Sequence, residues 1–101
     1  MINQFALQEQ AKHLQSLFNT AELEINGIVK PMPLTSEIDG SKVSFFIDVP
    51  ANEAGVITRR VIKDKQGRVC WSDPTGKINI VKPDVELRIE IPISLLWKEG
   101  I

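Results

Sequence analysis

Five basic residues fall within ten positions, Arg59, Arg60, Lys63, Lys65 and Arg68, and they are the densest group of like side chains in the chain. Their chemistry would be electrostatic, because clustered cations steer and orient an acidic partner or contact phosphates. From Val56 to Lys82 these five, with Lys77 and Lys82, are opposed only by Asp64 and Asp73. Before that segment the sign reverses, and Glu9, Glu22, Glu24, Glu37, Asp39, Asp48 and Glu53 outnumber Lys12, Lys30 and Lys42. Such asymmetry suits contact between copies or with an acidic partner, and it equally suits a solvated turn.

The other reactive side chains form no recognisable set. His13 is the only histidine, and a general base needs a nucleophile or acid within hydrogen-bond reach, for which no partner motif accompanies it. Cys70 is the only cysteine, which excludes an intrachain disulfide and a cysteine-only metal site. Beside Trp71 in an expected strand, it reads as a buried thiol. Glu86 and Glu90 alternate with Arg88 on the wet side of a strand, where cross-strand pairing accounts for them. Glycines 27, 40, 55, 67, 76 and 100 stand at turns and form no phosphate-cradling loop. The expectation is therefore no catalytic residue, no metal ligand and no cofactor. Contact through Arg59, Arg60, Lys63, Lys65 and Arg68 is the remaining proposal.

The elements that must carry these residues are mostly strands. Val85, Leu87, Ile89, Ile91 and Ile93 recur at period two, with Glu86, Arg88, Glu90 and Pro92 between, so one face is buried and the other wet. Pro92 cannot donate a ladder hydrogen bond, which places this strand at a sheet edge or turns that position away from its neighbour. Val43, Phe45, Ile47 and Val49 repeat the alternation, Pro50 ends it, and Asp39-Gly40 suits a hairpin turn before it. After a break at 51–55 come Val56, Ile57, Val61 and Ile62. An Asp64-Lys65-Gln66-Gly67 turn returns the chain through Val69, Cys70 and Trp71. Ser72 to Gly76 turns again, Ile78 and Ile80 alternate, and Lys82-Pro83-Asp84 precedes the last strand.

The first twenty residues differ, because Leu7, Ala11, Leu14 and Phe18 make one helical stripe with Leu17 beside it. A helix from Asn3 to Phe18 would be roughly 25 Å long, enough to cover one sheet face. It serves as a lid on the core or as a self-association surface. The fold class expected is α+β, an N-terminal amphipathic helix packed on an antiparallel β-sheet or β-sandwich of about five to six strands. One domain spans 1–101, with helix in 1–20 and mainly antiparallel β in 21–101.

A chain of 101 residues buries somewhat under ~70% of its unfolded surface, enough for a core without staples. No apolar run approaches the ~20 residues of a membrane span, and the first residues lack the pattern of a signal peptide. Host cytoplasm or a virion is the expected location. Nucleic acid is disfavoured as a partner by the net charge of -1, the absence of tyrosine and the few aromatics near the basic segment.

Between Phe45 and Ile93 the order is a strand ending in Val49-Pro50, a break at Gly55, and Val56-Ile57-Thr58-Arg59-Arg60-Val61-Ile62. The Asp64-Lys65-Gln66-Gly67 turn, the Lys82-Pro83 pair and the alternating last strand follow. This order resembles the N-terminal collar domain of tailed-phage fibre proteins, over about half of the chain. The family's glycine-rich N-terminal segment is absent, aromatic content is low, and no shaft follows Ile101. The resemblance implies a small phage or prophage structural or assembly protein rather than a complete fibre. Its partners would be other phage structural proteins or copies of itself, a homo-oligomer included. The alternative is a small nucleic-acid-binding regulator using the basic β-hairpin.

Overall fold

A computed structural model describes residues 3–95. Trp97, which the sequence leaves between core closure and surface contact, lies outside them. One helix, α1 (Gln4–Leu17), precedes eight strands: β1 (Thr20–Ile25), β2 (Ile28–Met32), β3 (Leu34–Asp39), β4 (Lys42–Val49), β5 (Gly55–Lys63), β6 (Val69–Ser72), β7 (Ile80–Lys82) and β8 (Leu87–Ser94). Every pairing is antiparallel. The larger sheet runs β2-β1-β5, with β6 and β7 sharing the far side of β5; the smaller sheet runs β3-β4-β8.

The architecture is thus α+β, and the expected five to six strands are corrected to eight in two sheets. The miss lies in residues 26–39. Asn26 and Gly27 both have positive φ (52° and 80°), as a two-residue type I′ hairpin requires, and Ile25 pairs with Ile28 across them. The strand this turn creates, β2, exposes Ile28 and Val29 and contains Pro31, so it shows no burial alternation. It sits at a sheet edge, where proline is tolerated. The next hairpin also shifts by one residue: Asp39 is paired with Lys42, and Gly40-Ser41 form the turn in place of Asp39-Gly40.

Two inner faces meet in one core. The larger sheet contributes Ala21, Leu23, Ile25, Ile57 and Ile62, and the smaller contributes Val43, Phe45, Ile47, Val49, Ile89 and Ile91. The alternation along β4 and β8 is realised as burial, although β8 begins at Leu87 and leaves Val85 exposed. Pro92 lies on β8, at the edge of the smaller sheet.

The helix packs on its own chain. Asn3 caps it, its Oδ1 accepting the Phe5 N–H at 2.9 Å, which satisfies a donor that the first turn leaves free. Ala11 is fully buried, Leu14 packs against the core, and Phe18 leaves the helix in an extended conformation to stack on Phe45 at 4.6 Å between centroids. Gln15 donates to the Ser36 hydroxyl on β3 at 3.1 Å.

Candidate functional site

Adjacent in sequence, Arg59 and Arg60 end on opposite faces of the larger sheet. Glu24 pairs with Arg59 but Ile25 pairs with Ile57, so β5 carries one residue, Thr58, more than β1 at this point. This is a β-bulge, which re-aims the side chains around it. Ile57 and Arg60 therefore share the inner face, opposite Ile25 and Leu23, and Arg59 joins Glu24 outside.

Arg60 is committed to structure. Its Nε and Nη2 donate to the two carboxylate oxygens of Asp73 at 2.8 and 2.9 Å, and its guanidinium lies 5.3 Å over the Trp71 ring. The main chain joins in, since Arg60 N–H donates to Asp73 Oδ2 at 2.9 Å and Asp73 N–H donates to the Arg60 carbonyl at 3.0 Å. This cluster lies where β5 exchanges β6 for β7 along its edge, and the Asp73 carboxylate takes the place of a missing strand partner. Burial pushes the Asp73 carboxyl upward, but the hydrogen bonds from Arg60 and the positive charges of Arg60 and Arg59 bring it below the usual range.

The hairpin tip is organised by Asp64 in the turn that the sequence places there. Its backbone accepts the Gly67 N–H at 3.1 Å, and Gly67 takes a φ of 82°. Asp64 Oδ1 accepts the N–H groups of Gln66 and Arg68, both at 2.9 Å, and Oδ2 accepts Arg68 Nε at 2.6 Å. These bonds, led by the Arg68 N–H, hold its carboxyl below the ordinary range. Arg68 is nevertheless 73% exposed, and Lys65 projects at the tip. Lys63 pairs with Glu22 on the outer face at 3.0 Å. Arg59 forms no ion pair among the described residues, and its Nε–H is shielded from water without an acceptor. Of the five basic residues, Arg59 and Lys63 stand on the outer face of β5 and Lys65 and Arg68 are exposed at the hairpin tip, while Arg60 is drawn inside.

The outer face of the larger sheet consequently has a pattern. β1 presents Glu22 and Glu24, and β5 beside it presents Arg59, Val61 and Lys63. Valines flank the charges, Val29 on β2 and Val69 and Val81 on the far strands, at 60, 56 and 74% exposure. A shallow groove of about 160 Å³ crosses this face from Val29 to Val69.

A larger cleft, about 810 Å³, opens where Pro33 carries the chain from one sheet to the other. Met32, Val49 and Leu87 line it, and the Lys30–Glu53 and Asp48–Arg88 pairs flank it. Glu90 stands opposite Phe46 and Glu86 precedes β8, so the cross-strand charge pairing expected of these two glutamates is not formed among the described residues. Arg88 instead donates to both Asp48 oxygens at 2.8 and 3.2 Å and stands 5.1 Å over the Phe46 ring. Those hydrogen bonds lower the Asp48 carboxyl and raise the Arg88 guanidinium.

The remaining reactive groups stay apart. His13 is exposed on α1, and no group of three His, Cys, Asp or Glu side chains among the described residues could hold a metal ion. Cys70 is half-buried rather than fully buried, with Sγ 3.8 Å from the Arg68 carbonyl, and burial raises its thiol pKa. Lys82, placed by the sequence pattern in a charge run and in the Lys82-Pro83-Asp84 break, is instead the last residue of β7 and a buried amine. It is 2% exposed, and its Nζ donates to the Pro83 carbonyl at 2.9 Å. Its place two residues after Ile80 puts it on the same side of β7, and nothing in the local pattern marks that side as interior.

No protein-family model matches the chain, nor does any curated protein or solved structure compared with it. Fold and site together define a two-sheet antiparallel domain with one covering helix and a charged, partly apolar outer face. Among the described residues no helix is long and apolar enough to cross a membrane.

Proposed function

We propose that the chain is a non-catalytic structural or assembly protein that acts by protein–protein contact, through the outer face of the larger sheet and the adjoining β5–β6 hairpin. The observation supporting this is the set of exposed valines, Val29, Val69 and Val81, around unlike charges on neighbouring strands. Exposed apolar side chains beside unlike charges give a partner both area to cover and charges to match. A phage or prophage setting, with other phage structural proteins or further copies as partners, rests on the resemblance of the Phe45–Ile93 segment. Three of the five basic residues are already matched by carboxylates, Arg60 by Asp73, Lys63 by Glu22 and Arg68 by Asp64, which favours this reading over a phosphate-binding hairpin.

The test is binding of the purified chain to structural proteins encoded beside it, and to itself. Replacing Arg59 and Lys65 together by glutamate lowers that binding at least tenfold with an unchanged melt; unchanged binding removes this surface from the function. Arg60 is left intact because it holds Asp73. Retardation of DNA or RNA at low salt, lost steeply as salt rises, would favour the nucleic-acid regulator instead.

A further inference from the structure

Resting on the contact function just proposed, we infer that the occupant of the larger sheet's outer face is a second copy of this chain, related by a two-fold axis. The charges select the orientation. Acids stand on β1 (Glu22 and Glu24) and bases on the adjacent β5 (Arg59 and Lys63), with Glu24 and Arg59 directly paired in register. An axis in the contact plane, parallel to the strands and midway between β1 and β5, lays β1 of each copy over β5 of the other, Glu24 over Arg59 and Glu22 over Val61 between the two bases. Glu24 of one copy then meets Arg59 of the other, twice per dimer. An axis perpendicular to the strands would instead lay β1 on β1, acid against acid, which costs several kcal/mol.

Two further features agree with the parallel axis. Arg59 lacks an ion-pair partner among the described residues, and the Glu24 carboxylate of the second copy supplies one. The same rotation lays the β2 flank of each copy over the β6 and β7 flank of the other. Val29 is thereby brought to the side that carries Val69 and Val81, so apolar margins cover apolar margins. Face-to-face sheets pack about 10 Å apart, a spacing that opposed Glu and Arg side chains can bridge. The contact is isologous and closes at two copies.

Light scattering and sedimentation across a wide concentration range provide the test. The unaltered chain should approach twice its 11.3 kDa mass as concentration rises. Glu24→Arg alone sets arginine against Arg59, and Arg59→Glu alone sets glutamate against Glu24. Each should raise the dimer dissociation constant about a hundredfold, in line with the cost of opposed like charges. An equimolar mixture of the two variants should recover the dimer, because every contact across the axis again joins Arg to Glu. If either variant loses its cooperative melt, Val69→Glu, at an exposed position outside the charge rows, takes its place and should also be monomeric. A chain that stays monomeric at all concentrations overturns the inference while leaving contact with a different protein standing, since that is measured separately. A dimer that persists in both folded variants, or folded variants that do not recover on mixing, also overturns it.

Discussion

Replacing Asp73 by alanine is the most informative perturbation of this fold. Asp73 is 6% exposed and accepts three hydrogen bonds, two from the Arg60 guanidinium and one from the Arg60 backbone. Removing it leaves a guanidinium with 19% side-chain exposure, lying over Trp71 without its counter-ion. Breaking one side of a buried pair costs about 3 to 5 kcal/mol. The residual exposure of Arg60 lets water relieve part of the loss, so the lower end, about 3 kcal/mol, is expected. In a domain of this size about 1 kcal/mol moves the melting midpoint by roughly 4 °C or more, so Asp73→Ala should melt at least about 12 °C lower. Circular dichroism and urea titration read both quantities. A cycle with Arg60→Met and the double variant then isolates the pair, and a coupling of about 2 kcal/mol is expected for groups in direct contact. An alanine variant within about 0.5 kcal/mol of the parent, or strictly additive single changes, would refute the assignment of Arg60 to the fold.

Other outcomes follow from the same structure. Ile89→Asp places an unpaired charge in the core and should abolish the cooperative melt, because its cost of several kcal/mol is a large part of a typical stability of ~5 to 15 kcal/mol. Gly55→Ala should destabilise by at least about 1 kcal/mol in a urea titration, since Gly55 has a φ of 145° and an added Cβ would lie 2.4 Å from the Asn26 amide nitrogen. The Asp64 and Asp73 carboxyls are lowered in the folded state, so their contribution is present above an unfolded value near ~4 and is lost as pH falls through the folded values. Stability should therefore decline below about pH 4, and Asp73→Asn should flatten part of that decline in a pH series of melts. The half-buried Cys70, its pKa raised by burial, should react with a thiol reagent at neutral pH more slowly in the folded chain than in urea.

Local pattern by itself determined the antiparallel class, the helix on its stripe, the Asp64–Gly67 turn and the core faces of β4 and β8. Each is written as a periodicity or as a residue with a preferred φ, and neither requires a distant partner. Strand number was legible too, in the Asn26-Gly27 pair, but β2 exposes Ile28, Val29 and Pro31 and buries only Met32, so it left no alternation to find. Tertiary structure alone decided the fate of the basic cluster. The pleat alone sets adjacent Arg59 and Arg60 on opposite faces, but which of them turns inward to Asp73 is decided by a bulge at Thr58, which exists only in the pairing of β5 with β1. The alternation of Ile80 and Lys82 likewise carries no mark of depth, and only the packing of β7 on β5 buries the amine. Side-chain direction along a strand is a local property, but which face becomes interior depends on register and on what the rest of the chain lays over it.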